Sequence, residues 1–337
     1  MRINRSLTCW DYHHGQATRI LVAGFPPIPG STMFEKQANF EESLSCLRTA
    51  LLMEPRGHRN MIGAIVTEPV RPESIIGVIF THPAGYFSMC GDSAFSVTCF
   101  LVESGMLGIR SGEVSLEMDT VAGPVRADVV IQDGECISAT IQNVESYMLG
   151  AVSIEVNGNV VSCPVSYGGL NYALVTAKAV GIPTLRFADL DDDQRRGVLN
   201  MGSAALRAAQ LVTGNGTSLP SVDLVTLYEP LEGDRGVRVA NFYAPGTMGR
   251  TPSGTGLSAR LAWEYASGNL AIGEDFVHES VLGMRFVGRV EAVRERASHE
   301  SSTQPAVVPS ITARSFLMGI QQVMITDDDP FKEGFQL

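Results

Sequence analysis

Short apolar runs separated by glycine and proline dominate this chain. Residues 19–23 (RILVA), 75–80 (IIGVIF), 113–118 (EVSLEM), 125–131 (VRADVVI), 152–156 (VSIEV) and 284–293 (MRFVGRVEAV) read as strands. Several alternate apolar with polar positions, the period of a strand with one buried face. Helical periods are fewer. In 36–52, Phe40, Leu44, Leu47 and Leu51 recur at helical spacing. Residues 191–210 open with an acidic run, which suits a helix N-terminus, and continue through alanine-rich sequence. Asp191, Asp192 and Asp193 are read as a solvated helix start and not a cation site, because neighbours in sequence point in different directions on a helix. The polar stretch 296–306 predicts a surface loop, after which strand-like sequence (SFLMGIQQVMI) returns within 307–337.

One element occurs twice. Residues 90–109 align with 253–272 at a constant offset, pairing Gly91 with Gly254, Ser104 with Ser267, Gly105 with Gly268, Leu107 with Leu270 and Ile109 with Ile272. Each copy follows a strand-like run, opens on a small reactive residue and a glycine, and stops at Ser-Gly, where a C′ glycine belongs. The repeat predicts two similar α/β halves, each with a helix preceded by a strand and a turn.

The two starts differ in chemistry: Cys90 opens one helix and Ser253 the other. Backbone N–H groups and the helix dipole favour negative charge there, so the position predicts a depressed thiol pKa for Cys90. Gly254 and Gly256 allow close approach of a ligand to the backbone. If two such helix starts converge on one cleft, the N–H groups of Gly91, Asp92, Gly254 and Thr255 can hold a carboxylate. Cys90 and Ser253 then flank the carbon beside it, an arrangement for removing a proton α to a carboxylate. Taken singly, S-G-T-G caps a helix and a cysteine before glycine packs in a core. The matched pair is what points to a site.

Composition narrows the partners. The 337 residues suit two domains. A net charge of −11 argues against a nucleic-acid binder, and no apolar run reaches membrane-spanning length. The N-terminus lacks the apolar core of a signal peptide. Six cysteines without C-x-x-C spacing read as free thiols in a reducing cytoplasm. The histidines show no metal-binding spacing.

At both helix starts the chain resembles the proline racemase family, whose members carry M-C-G-H-G and D-R-S-P-C-G-T-G. Here stand Met89-Cys90-Gly91-Asp92-Ser93 and Gly249-Arg250-Thr251-Pro252-Ser253-Gly254-Thr255-Gly256. The segments 31–37 (GSTMFEK), 53–58 (MEPRGH), 167–172 (YGGLNY), 276–290 and 327–335 look familial too, so the resemblance runs from about residue 11 to 335. It implies an α/β (α+β), diaminopimelate-epimerase-like fold of two pseudo-symmetric halves, each a curved sheet or barrel around a central helix. The expected halves are 1–158 with 313–337, carrying Cys90, and 159–312, carrying Ser253. The resemblance also implies a small amino-acid substrate, no cofactor and a homodimer.

The departures bear on chemistry. Racemases of the family exchange protons through two thiols, whereas position 253 holds an alcohol, a far weaker acid than a thiol of pKa about 8.5. The dehydratase branch keeps the first cysteine and has threonine at the second site. The family histidine after the first cysteine is Asp92 here, and the family aspartate of the second motif is Gly249. The usual N-terminal H-T-x-G-E-P stands as His13-His14-Gly15-Gln16-Ala17. The sequence therefore reads as a dehydratase acting on trans-3-hydroxy-L-proline. Cys90 is the base, Ser253 the second hydroxyl, and Gly91, Asp92, Ser93, Gly254 and Thr255 bind substrate, with Asp92 near the amine. Proline racemisation or 4-hydroxyproline 2-epimerisation is the alternative, and a non-catalytic amino-acid-binding protein the alternative of another class.

Overall fold

The computed structural model describes residues 3–214, 217–244, 246–296 and 304–336. Packing divides the chain into two compact units, one running to Ile141 and resuming at Arg314, the other Gln142–Ala313.

The first unit holds β1 (Ile3–His13), β2 (Ala17–Ala23), α1 (Met33–Leu52), β3 (Ile62–Thr67), β4 (Ile76–His82), β5 (Gly85–Phe87), α2 (Gly91–Glu103), β6 (Gly112–Thr120), β7 (Gly123–Gln132) and β8 (Glu135–Gln142). Most neighbours pair antiparallel, but β2 with β3 and β4 with β6 run parallel. A parallel pair needs a crossover, and the two crossovers contain α1 and α2. The last strand of the chain, Phe316–Thr326, pairs antiparallel with β1.

In the second unit follow β9 (Tyr147–Val156), β10 (Asn159–Tyr167), β11 (Asn171–Thr176), α3 (Asp192–Gly214), β12 (Leu224–Pro230), β13 (Gly236–Tyr243), β14 (Thr247–Met248), α4 (Gly254–Ala266), β15 (Asp275–Ser280), β16 (Arg285–Arg296) and β17 (Gln304–Ala313). Its parallel pairs are β11 with β12 and β13 with β15, again bridged by the crossovers that contain α3 and α4. Strand for strand the order repeats that of the first unit, so the repeat seen in sequence over one helix extends through a whole mixed α/β unit.

The topology also explains where the units begin and end. Strand β9 follows β8 in sequence but pairs with β10, and the chain's last strand follows β17 but pairs with β1. Each unit is thus completed by the strand that follows the other unit's closing hairpin. The boundary therefore falls at Ile141/Gln142, whereas the expected 158/159 boundary lies in the turn joining β9 to β10.

Helices α2 and α4 are the buried ones. Every residue from Ser93 to Val102 is buried, as is every residue from Gly256 to Ala262. A helix apolar on all sides is stable only inside a core, and each is packed by strands of its own unit. Their buried hydroxyls turn back onto the helix: Thr98 Oγ1 donates to Ala94 O at 2.8 Å and Ser258 Oγ to Gly254 O at 3.0 Å. Both helices end as expected, with Gly105 at φ 78° and Gly268 at φ 73°, left-handed values that glycine adopts without a Cβ clash.

The strands expected from periodicity fall, to within one residue, inside β2, β4, β6, β7, β9 and β16, and the two expected helices likewise inside α1 and α3. The acidic run opens α3 as a capping box: Gln194 N donates to Asp191 Oδ1 at 2.8 Å, and Asp191 N to Gln194 Oε1 at 2.9 Å. Of the expected loop 296–306, residues 297–303 lie outside the described residues, while β17 begins at Gln304. Among the described residues no helix is long and apolar enough to cross a membrane.

Candidate active site

The first helix start lies after β5. Cys90 is the N-cap of α2, with extended backbone (φ −141°, ψ 107°) and no capping hydrogen bond from its side chain. The sulfur is therefore not committed to closing the helix. Ala94 N donates to Cys90 O at 2.9 Å, so the N–H groups of Gly91, Asp92 and Ser93 stand before the first rung of the helix ladder.

The thiol pKa departs from expectation. Burial and then the Asp92 carboxylate push Cys90 up to about 11. Attraction to the Ser93 hydroxyl and to the backbone N–H groups of Ser93 and Asp92 pulls the other way and loses. Sequence reasoning counted the helix N-terminus and missed the cost of desolvating a thiolate beside a negative charge.

Behind Asp92 lies a buried polar chain. His14 Nε2 is 3.2 Å from Asp92 Oδ1, with His14 fully buried and the Asp92 side chain 23% exposed. His14 Nδ1 is 3.1 Å from Ser315 Oγ, which is 3.1 Å from Ser96 Oγ, and Ser96 Oγ donates to Asp92 O at 3.3 Å. With Ser315 donating to Nδ1, Nε2–H faces the carboxylate, and the single hydrogen of Ser96 serves either Ser315 Oγ or Asp92 O. The histidine of the altered N-terminal motif thus meets the aspartate that stands where the family has histidine.

The second start is built differently. Ser253 is the N-cap of α4 at φ 65°, ψ 112°, a left-handed φ that costs a residue with a Cβ about 1–3 kcal/mol. Neighbouring hydrogen bonds fix the turn. Asn241 Nδ2 donates to Thr251 O at 3.4 Å and to Pro252 O at 3.3 Å, and Asn241 Oδ1 accepts from Thr226 Oγ1 at 2.7 Å. His278 Nδ1 is 3.2 Å from Pro252 O. That imidazole is fully buried, and burial followed by the charge of Arg260 lowers its pKa to about 3, so it donates as a neutral ring.

Ser253 Oγ accepts from Gly256 N at 3.0 Å. It is also 3.0 Å from Tyr172 Oη and 3.3 Å from Thr255 Oγ1, and these last two are 2.7 Å apart. Close packing permits the cluster. A Cβ on Gly256 would stand 3.1 Å from Ser253 Oγ and 3.2 Å from the Tyr172 ring. On Gly168 it would meet Thr255 O at 2.3 Å and Ala259 N at 2.4 Å. The glycines of Y-G-G-L-N-Y thus let the β10–β11 turn lie against the first turn of α4, and Tyr172 follows from that contact.

Within its unit the structure gathers Cys90, Gly91, Asp92 and Ser93 on one helix turn, and within the other Ser253, Gly254 and Thr255. It adds His14, Ser315 and Ser96 to the first group and Tyr172, Asn241 and His278 to the second. Of these, His14, Tyr172 and His278 had a signal in sequence, each lying in a segment shared with the family. Chemically, the first start offers a thiol beside a carboxylate, and the second an alcohol backed by a phenol.

Residues 9–336 match the family model described as proline racemase. The chain is 37% identical to a 4-hydroxyproline 2-epimerase of Streptosporangium roseum, with all of both chains covered. It is 33% identical to a proline racemase of Clostridioides difficile, again over all of both. Among solved structures, a hydroxyproline epimerase from Agrobacterium vitis with bound trans-4-hydroxy-L-proline matches at TM-score 0.77 and 27% identity, covering 100% of this chain and 97% of that one. A PhzF-family phenazine biosynthesis protein of Bacillus anthracis matches at TM-score 0.59 and 13% identity over 96% of this chain and 100% of that one, a likeness of fold alone.

Proposed function

The chain belongs to the proline racemase family, and from that premise we propose that it removes the Cα proton of a proline- or hydroxyproline-type amino acid without a cofactor. Cys90 acts as the base, as thiolate, and Ser253 as a proton donor to the same substrate. The N–H groups of Gly91, Asp92, Ser93, Gly254 and Thr255 hold the carboxylate, which keeps the enolate charge near fixed dipoles. Asp92 pairs with the ammonium, and its contact with His14 orients it for that role.

The observation that carries this reading is the unequal pair of helix starts. Cys90 Sγ makes no capping hydrogen bond and is only drawn toward the Asp92 and Ser93 N–H groups, while Ser253 Oγ accepts from Gly256 N and lies within hydrogen-bond distance of Tyr172. An alcohol with donors directed at it is suited to give a proton and ill suited to take one. That asymmetry favours a one-way reaction, and the leading substrate is trans-3-hydroxy-L-proline. Cys90 takes the Cα proton, the C–H electron pair becomes a Cα=Cβ bond, and the β-hydroxyl leaves as water after accepting the Ser253 proton. The likeness to a protein named 4-hydroxyproline 2-epimerase favours a second reading, in which Ser253 returns its proton to Cα and inverts it.

Proton NMR in D₂O tests both with proline, 3-hydroxyproline and 4-hydroxyproline. Loss of the Cα signal identifies the substrate, and the product separates dehydration from inversion. Cys90→Ala should abolish exchange. Tight binding of such an amino acid with no exchange by the unaltered protein would refute the reading in favour of a binding protein.

A further inference from the structure

We infer that Tyr172 is the proton reserve behind Ser253, acting through a hydroxyl relay that runs Thr255 Oγ1, Tyr172 Oη, Ser253 Oγ. The inference rests on the proposed proton-donor role of Ser253 and deepens it.

The contacts are compatible with a relay that runs toward Ser253. A serine hydroxyl has two acceptor sites and one hydrogen. Gly256 N–H occupies one acceptor site of Ser253 at 3.0 Å. Tyr172 O–H, at 3.0 Å, fills the second when Thr255 O–H donates to the phenol oxygen across 2.7 Å. The Ser253 hydrogen is then left to point away from the cluster toward a substrate, and two donors on its oxygen polarise that O–H bond. Tyr172 is only 1% exposed, and its hydroxyl lies 3.0 Å from that of Ser253, whose residue is half-buried. A phenol, with an ordinary pKa of about 10, is a far stronger acid than an alcohol. It can make up a proton that serine alone would give up slowly.

Each step balances. Ser253 gives its proton to the departing hydroxyl, or to Cα in the inversion reading. The O–H bond of Tyr172 breaks as Ser253 regains a hydrogen, and the phenolate keeps the hydrogen bond from Thr255. In dehydration, Cys90 has gained a proton that Tyr172 has lost. Release from Cys90 to water and uptake through Ser253 restore both groups. Tyr172 acts through Ser253 and is a positioning and relay residue.

Tyr172→Phe removes one oxygen and keeps the ring that packs against Gly256. In D₂O it should retain Cα exchange within about twofold of the unaltered protein, with KM changed by less than about threefold. Product formation should fall at least tenfold, with loss of the alkaline limb of the kcat profile. Equal loss of exchange and product, or loss of neither, overturns the inference. A second measurement needs no substrate. In a Cys90→Ala background, Ser253→Cys puts a thiol at the end of the relay, and its alkylation rate is followed against pH by mass spectrometry. Adding Tyr172→Phe should move the midpoint upward by at least half a pH unit, because a donor to the thiolate is lost. An unmoved midpoint means that Tyr172 does not donate to position 253, whatever the substrate proves to be. Absence of exchange by the unaltered protein with a shifted midpoint would refute the function and leave the relay standing.

Discussion

His14 Nε2 and Asp92 Oδ1 stand 3.2 Å apart, joining the first loop of the chain to the first turn of α2. The pair places a carboxylate two residues after Cys90, where the family motif has histidine, and an imidazole behind it. It has two consequences. The carboxylate is fixed against the imidazole, and its charge raises the pKa of Cys90.

Asp92→Asn should therefore have opposite effects on two measurements. Iodoacetamide should alkylate Cys90 faster at pH 8 than in the unaltered protein, the midpoint having moved down from about 11. KM for an amino-acid substrate should rise roughly 10–100-fold, the value of one charge-assisted hydrogen bond. An unchanged alkylation rate would show that the carboxylate does not reach the sulfur.

Backbone strain at the second start can be measured without the hydroxyl. Ser253→Ala and Ser253→Gly both delete the cap and the contact with Tyr172, but only alanine must hold a Cβ at φ 65°. The glycine variant should be the more stable by about 1–2 kcal/mol in urea unfolding, and both should be inactive. Equal stabilities would place no strain at this residue.

Acid stability should depend on His278. Its imidazole is fully buried with a pKa near 3, against about 6.5 when unfolded. Between those values the unfolded chain binds a proton that the folded chain refuses, so stability falls as pH falls from 6.5 toward 3. The loss is of the order of several kcal/mol, at about 1.4 kcal/mol per pH unit. His278→Asn keeps a donor for Pro252 O and removes the titration, so its acid-unfolding midpoint should lie at lower pH. A midpoint that stays put would assign acid unfolding to other groups.

The sequence disclosed the repeat because glycines and the Ser-Gly stops mark turns that few other residues can make. Gly105 and Gly268 at left-handed φ are such cases. It did not disclose the three-residue β5 or the two-residue β14, which are too short to show a period. Nor could it pair His14 with Ser315, 301 residues apart in the chain, since that contact exists only because the last strand returns to β1. The pKa of Cys90 was misjudged for a related reason: a helix N-terminus is visible in sequence, and the burial that outweighs it is not. Tyr172 lay in a recognised motif, yet its hydroxyl gains meaning only from the close approach that Gly168 and Gly256 allow.

Gly249 tests whether the altered charge pattern sets the substrate. A Cβ there would stand 3.7 Å from Asn241 O, 3.8 Å from Asn241 Cβ and 3.9 Å from the Tyr243 ring, all ordinary contacts. Its backbone lies outside the left-handed positions. Gly249→Asp should therefore fold with less than about 1 kcal/mol lost, as is usual for a substitution without a clash. It would supply a second carboxylate for a ring nitrogen, and Ser253→Cys would supply the second thiol. The double variant should form D-proline from L-proline measurably, with chiral chromatography as the readout, while Gly249→Asp alone should do so at least tenfold more slowly, because an alcohol at 253 is a far weaker acid than a thiol. A folded double variant that still exchanges the Cα proton but forms no D-proline would show that Asp92, and not the missing thiol, restricts the reaction. Adding Asp92→His to that protein should then restore racemisation.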